Sequence, residues 1–282
     1  MVSDPKDAEA ISQAIAARFG ETLPVDPDTQ GLETLLRMAS RRVHRRYLDK
    51  PVEPDLLRLL LACALSSPSK SDLQQGDVVI VADPARRKAI FELIPSMPWM
   101  AEAPVFLVFC GDGQRLPRIS EMRGKPFPND HLDAFFNAVV DGAIVMASFI
   151  AAAEAVGLGC CPISVVRDNC DVLRETLSLP KRVVPIAGLT VGWPATPGRL
   201  SARLSIDARV HVDRYDTENL AAQLDEYDRR RNAAEPGLKP REPARWGEAP
   251  YYGWSEDKAR QYANAQRTDF GAFVRSQGFK LD

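Results

Sequence analysis

Apolar residues recur at helical spacing over residues 7–19, DAEAISQAIAARF, and Gly20 closes the run as a C-terminal glycine does. The turn formers of LPVDPDTQG predict a linker. Leu32, Leu35, Leu36 and Ala39 restore the helical period and lead into RRVHRRY, residues 41–47. YLDKPVEPD then breaks the pattern, and Pro54 suits the first position of the next helix, DLLRLLLACAL.

Past the loop SSPSKSDLQQ come a strand, DVVIVAD, a helix, PARRKAIFELI, and a strongly apolar strand, PVFLVFC. A long helix over residues 132–156 ends at GLG. A short CPIS segment, a helix around residues 171–177 and the strand VVPIAGLTVGWP complete the compact part. Strands interspersed with helices predict a layered α/β or α+β domain. Beyond Pro194 the texture changes. Residues 229–254, RRRNAAEPGLKPREPARWGEAPYYGW, lack periodicity. They read as an extended arm rather than a tail, because DKARQYANAQRTDFGAFVRSQGF regains helical spacing through Tyr262, Phe270 and Phe273.

Residues 135–153, FFNAVVDGAIVMASFIAAA, mimic a membrane span but contain Asn137 and Asp141. An aspartate at mid-bilayer costs roughly 2.5–3.5 kcal/mol on insertion scales, and no second span follows. The stretch therefore reads as a central helix buried on every side, covered partly by a second subunit.

Composition changes this picture little. The 282 residues are 45% hydrophobic and 26% charged, with a formal net charge of -2, which fits neither a coat for nucleic acid nor one for an anionic membrane. Five cysteines without a C-x-x-C spacing predict thiols in a reducing, cytoplasmic compartment. Adjacent Cys160 and Cys161 read as small core residues. Three scattered histidines outline no metal site. MVSDPKDAEAISQ carries early acids and no apolar core, so it does not read as a secretory signal.

Candidate chemistry narrows by exclusion. GDGQRL has Leu116 where a dinucleotide fingerprint needs its third glycine, and no Walker loop or G-x-S-x-G elbow occurs. What remains is RRVHRRY, four arginines and a histidine in seven residues. It can be a nucleic-acid patch, a solvated helix end whose cations offset the dipole, or a socket for a small anion. On a helix or turn Arg41, Arg42 and Arg45 would converge, and the planar guanidinium fork suits phosphate oxygens. Taken alone, the cluster reads first as a helix end.

Its context reads otherwise. RRVHRRYLDKPV, then one helix, then SSPSKSDLQ, resembles the FMN-dependent nitroreductase family in order and spacing. So do the apolar helix ending GLG, CPIS, the strand ending VGWPA, and RLSARL ahead of HVDRY. The arm and the ending FVRSQGF are similar to the long, NADPH-preferring branch of oxygen-insensitive nitroreductases and flavin reductases. The resemblance implies an α+β fold, a three-layer α/β/α sandwich with a mostly antiparallel central sheet, forming a homodimer with exchanged C-terminal arms. Residues 1–30 would be an N-terminal extension of helix plus linker. Residues 31–282 would be the FMN-dependent domain, its arm running from about 196 to 282.

By the same resemblance Arg41, Arg42 and Arg45 grip the FMN phosphate, with Arg203 approaching from the later loop. Val43 lies within that grip. Ser69 and Gln74 face the flavin, as does the backbone of Pro162, Ile163 and Ser164. Arg167 and Arg231 match positions near the phosphates of the nicotinamide nucleotide. The family implies hydride passing from NADPH or NADH through FMN to a small acceptor such as a nitroaromatic or quinone, by ping-pong turnover, with no metal and no protein acid or base named. Several positions depart from the family pattern. Val43 replaces a serine, Asp72 an asparagine, Ser164 and Val165 a frequent Gly-Gly, and Ser201 a lysine; Met97 stands where a glutamine meets the flavin. These changes bear on flavin affinity, redox potential and substrate choice. A flavin reductase or another specialised FMN enzyme, dehalogenase-like or dehydrogenase-like, is the alternative within the fold. A basic module binding nucleic acid or an acidic partner is the alternative outside it.

Overall fold

A computed structural model describes residues 5–282. Residues 1–4, part of the extension and of the stretch read for a signal, lie outside the described residues. The chain begins with helices α1 (Pro5–Phe19), α2 (Leu32–Ser40) and α3 (Pro54–Leu65). There follow β1 (Gly76–Ile80), α4 (Pro84–Glu92), β2 (Val105–Asp112), α5 (Arg115–Met122) and α6 (Leu132–Ala155). Next come β3 (Gly159–Ile163), α7 (Cys170–Leu177) and β4 (Val183–Gly192). The chain ends in α8 (Leu220–Ala234), α9 (Pro243–Trp246), α10 (Trp254–Tyr262) and α11 (Phe270–Ser276). Two compact units result. One takes the chain up to Arg42 together with Arg199–Gln266; the other takes Val43–Gly198 with Arg267–Asp282.

The second unit is built on one sheet of order β1-β2-β4-β3, every neighbouring pair antiparallel. Every residue of β2 is buried because both faces of this central strand are covered. Alternation sends Val105, Leu107 and Phe109 to one face, where α3 and α6 supply Leu60, Ala64, Val145 and Phe149. Phe106, Val108 and Cys110 go to the other, against Ile90 of α4 and Leu173 of α7. The result is the three-layer α/β/α sandwich with an antiparallel sheet that the sequence led us to expect. Cys160 and Cys161 follow the same alternation into opposite core clusters, which makes them packing residues. Burial pushes the Cys110 thiol up to about 12, out of reactive range near neutrality.

Glycine sets how closely α6 lies on the sheet. A Cβ at Gly142 would stand 2.6 Å from the Cys110 carbonyl oxygen, and one at Gly111 would stand 2.7 Å from that of Ala138. Helix α6 is long and apolar enough to cross a membrane by length and composition. Yet Ala138, Asp141, Gly142, Val145, Phe149 and Ala153 form a buried stripe at helical spacing. Burial on every side is not met within this chain, for Leu132 is 50% and Phe136 60% exposed. One sheet face and α3 can cover only one side of a helix.

In the first unit Ala8 and Ile11 of α1 pack on Leu32 of α2, with Ile15, Leu36 and Ala39 at the margin. The aperiodic reading of residues 229–254 needs correction: residues 229–234 complete α8, Pro243–Trp246 form α9 and Trp254 opens α10. The polar sequence LAAQLDEYDRRRNAA offers no apolar period to find. The final stretch, read as helical, forms two helices, α10 and α11.

Candidate functional site

Between α3 and β1 the chain forms a tight loop over residues 66–75. Ser71, Asp72 and Gln74 all take left-handed conformations there, with φ of 49°, 55° and 53°. Each such non-glycine residue costs about 1–3 kcal/mol, so the surroundings must hold the loop firmly. Asp141, 2% exposed, is what holds it. Its carboxylate accepts from Ser69 Oγ at 3.0 Å, from the Lys70 amide at 3.2 Å and from the Gln75 amide at 3.1 Å. Ser69 Oγ in turn accepts from the Gln74 amide at 2.7 Å. Lys70 Nζ reaches Asp133 at 3.1 Å, a second tie to α6.

A cavity of about 660 Å³ opens beside this loop, lined by Ser67, Ser69, Gln74, Asp77, Arg115 and Asp141 among others. Its volume lies in the range of small-molecule sites. Ser67 Oγ is buried there with no hydrogen-bond partner. Arg115 donates to Asp77 at 2.6 Å and to the Gln74 carbonyl, and lies 3.7 Å from Asp112. Burial pushes the Asp77 carboxyl up, Arg115 pulls it down, and the like charge of Asp112 pushes it up again.

RRVHRRY is not helical. Helix α2 ends at Ser40, and Arg41 is already extended, with φ −56° and ψ 145°. The segment therefore does not keep helical spacing; from Val43 on it pairs with the sheet instead. Val43 bridges Cys160 in parallel, and the His44 amide donates to the Cys160 carbonyl at 3.1 Å. Farther on, Leu48 donates to Trp193 at 2.8 Å, and Ala195 donates to Arg46 at 3.0 Å. Tyr47 is buried, its hydroxyl donating to the His44 carbonyl at 2.7 Å and lying 2.8 Å from Thr190 Oγ1. This stitching brings Val43 beside β3, the strand that carries Pro162 and Ile163 and leads into Ser164. Pro162 and Ser164 are exposed and Ile163 is buried. Arg45 is exposed with its guanidinium 5.9 Å from the Trp99 ring centre.

In the first unit Arg18 carries no sequence signal of its role, since its last-turn position in α1 looks like simple dipole compensation. It is 6% exposed. Its guanidinium donates to the carbonyls of Ala39 at 3.0 Å, Ser201 at 3.2 Å and Arg41 at 2.6 Å. Its own carbonyl accepts from the Arg203 amide at 2.6 Å and from Arg230 at 3.1 Å. Arg18 thereby brings the segments of Arg41 and Arg203 together. Arg203 donates to Ser201 Oγ at 2.7 Å. Arg42 Nε is buried with no hydrogen-bond partner, as a donor awaiting an anion would be. Arg18→Ala leaves three carbonyls without their donor, so unfolding free energy in urea should fall by about 2–4 kcal/mol. Arg18→Lys should recover only part of it, since an ammonium cannot span the three carbonyls as the fork does.

The remaining expected residues are more committed. Arg167 donates to the Ile186 carbonyl, and burial pulls its guanidinium down from its usual range. Arg231, in the other unit, donates to the Tyr227 hydroxyl at 2.8 Å. Met97 packs, partly buried, against the core cluster of Phe106 and Val108. Asp72 accepts from Gln74 Nε2 at 3.2 Å.

The family model described as the nitroreductase family matches residues 38–193, and that of its C-terminal domain matches residues 201–282. An FMN reductase [NAD(P)H] of Bacillus subtilis is 32% identical over 257 residues, spanning 89% of this chain and 99% of that one. An oxygen-insensitive NADPH nitroreductase of Salmonella typhimurium is 33% identical over 198 residues, 68% of this chain and 80% of that one. The solved structure of the hypothetical oxidoreductase YcnD from Bacillus subtilis superposes with a TM-score of 0.80 at 31% identity. It covers 89% of this chain and 99% of its own.

Proposed function

The chain belongs to the nitroreductase family, and from that premise we propose that it is an FMN-dependent oxidoreductase passing hydride from NAD(P)H to a small oxidised acceptor such as a nitroaromatic or quinone. The observation that carries this is the strained, Asp141-anchored loop beside a 660 Å³ cavity, with the hydroxyl of Ser67 buried and unsatisfied. Such a wall suits a small ligand with polar groups to place against it. Arg42 Nε, likewise buried and without a partner, suits the phosphate.

Bound FMN supplies the hydride chemistry; the protein binds, orients and sets the electrostatics. Arg41, Arg42, Arg45 and Arg203 are the proposed phosphate ligands, with Val43 offering backbone only. Ser69 and Gln74 contact the flavin from the loop, as does the backbone of Pro162 and Ile163 in β3 and of Ser164 just after it. Arg167 and Arg231 serve the nicotinamide nucleotide, Arg167 only by giving up its bond to Ile186. One seat used in turn by donor and acceptor gives ping-pong kinetics. We further propose a cytoplasmic homodimer with exchanged arms. The exposed apolar residues Leu132 and Phe136 of α6 are suited to a subunit contact.

The test is the visible spectrum of the purified protein, followed by release and identification of the chromophore. Flavin bands and released FMN are expected. A colourless protein that refuses added FMN overturns the reading. A second reading, reduction of free flavin, is favoured by the relative named FMN reductase, which this chain matches over 99% of that relative's length. Turnover of a nitroaromatic against free FMN, both with NADPH, separates the two. The basic-module reading is set aside by family membership.

A further inference from the structure

A second cavity, of about 190 Å³, lies within the first unit at the C-terminal end of α8. Arg199, Arg231, Glu235, Leu238 and Trp254 are in its lining. Glu235 caps α8, its amide donating to the Arg231 carbonyl at 2.8 Å, which fixes where the side chain starts. Its carboxylate is 11% exposed. One oxygen, Oε2, lies 2.6 Å from Arg199 Nη2 and 3.6 Å from Arg231 Nη2. The other, Oε1, is buried and accepts no hydrogen bond. Arg231 spends its remaining terminal nitrogen on the Tyr227 hydroxyl, at 2.8 Å.

We propose that Glu235 is a coenzyme-specificity residue: its carboxylate accepts the 2′-hydroxyl of the adenosine ribose of NADH and opposes the 2′-phosphate of NADPH. The inference rests on NAD(P)H as the hydride donor and on Arg231 facing it. Three features of the cavity support it. A buried carboxylate oxygen without a donor is a costly arrangement that an incoming hydroxyl relieves. Carboxylates recognise a ribose 2′-hydroxyl in dinucleotide sites, whereas arginines accommodate the 2′-phosphate. Here both arginines are present, but one carboxylate already answers them. The phosphate must compete for those guanidinium groups while bringing its own negative charge beside Glu235. The C-terminal end of α8 adds a partial negative charge that also disfavours a dianion. The chain therefore accepts NADH better than its count of arm arginines suggests.

The test compares Glu235→Gln with the parent holoenzyme. Glutamine keeps the shape and removes the charge, so the two arginines become available to phosphate. The ratio of kcat/KM for NADPH over NADH should rise about tenfold, carried by KM, a change of the size one charge-assisted contact makes. Arg199→Ala should move the same ratio the opposite way. Calorimetric titration with adenosine 2′,5′-bisphosphate against 5′-AMP reads the preference without turnover, and Glu235→Gln should tighten only the bisphosphate. Equal shifts for both coenzymes, or an unchanged ratio in an enzyme that oxidises both, overturn the role of Glu235 alone. A flavin-bearing parent that oxidises neither coenzyme overturns the donor reading and this inference with it.

Discussion

Asp141→Ala is expected to release the loop of residues 66–75 and to cost the protein most of its flavin. The substitution removes the acceptor for Ser69 Oγ and for the amides of Lys70 and Gln75. Gln75 is 1% exposed, so its amide cannot turn to water without the chain moving. Leaving buried donors unsatisfied costs about 1–3 kcal/mol each, and the left-handed residues between them then lose the restraint that offsets their strain. The loop should relax while α6 stays docked, because Val145, Phe149 and Ala153 still pack against β2 and α3. We expect unfolding free energy in urea to fall by about 2–4 kcal/mol, and FMN affinity to fall at least about tenfold. Asp141→Asn should be nearly as damaging. A carboxylate accepts on both oxygens, whereas the amide would turn an NH₂ toward at least one of these donors. Flavin fluorescence titration and urea curves on both variants check this. Unchanged FMN affinity in a destabilised Asp141→Ala protein would mean that the loop does not touch the flavin.

Asp141 also marks the limit of what the chain discloses before it folds. Its position inside an apolar helix was legible as a charge in an otherwise apolar run. Its purpose was not, because its partners lie 66 to 72 residues earlier. Arg18 is hidden in the same way, 183 residues from Ser201. The strands read well because β2 is apolar at nearly every position and turn formers bound it. Helix α8 did not, since most of its surface is polar and carries no period. RRVHRRY stands out in the sequence as a charge cluster, but its shape was not legible. Helical spacing carries through Ala39, and only the bridges of Val43 to Cys160 and of Tyr47 to Pro194 pull the segment out straight. Local pattern yields to such pairing wherever a sheet edge is near enough to recruit the chain.

That extended segment gives the other large effect. Arg42→Ala and Arg45→Ala should each weaken FMN at least about tenfold, since a charge-assisted bond to phosphate contributes about 1.5–3 kcal/mol. Neither residue is spent on the fold in a way that would explain such a loss. Arg42 Nε is buried with no hydrogen-bond partner, and Arg45 is exposed, its guanidinium 5.9 Å from the Trp99 ring centre. By resemblance to the family Val43 stands in place of a serine hydroxyl, so the arginines are expected to carry more of the grip. Riboflavin makes the test specific, because it keeps the ring and the ribityl chain and lacks the phosphate. Each variant should lose FMN while binding riboflavin as the parent does. The parent's own preference for FMN over riboflavin should shrink as salt rises, for exposed Arg45 above all. Equal losses for the two ligands would assign the arginines to the architecture of the site, and the phosphate would have to be held elsewhere.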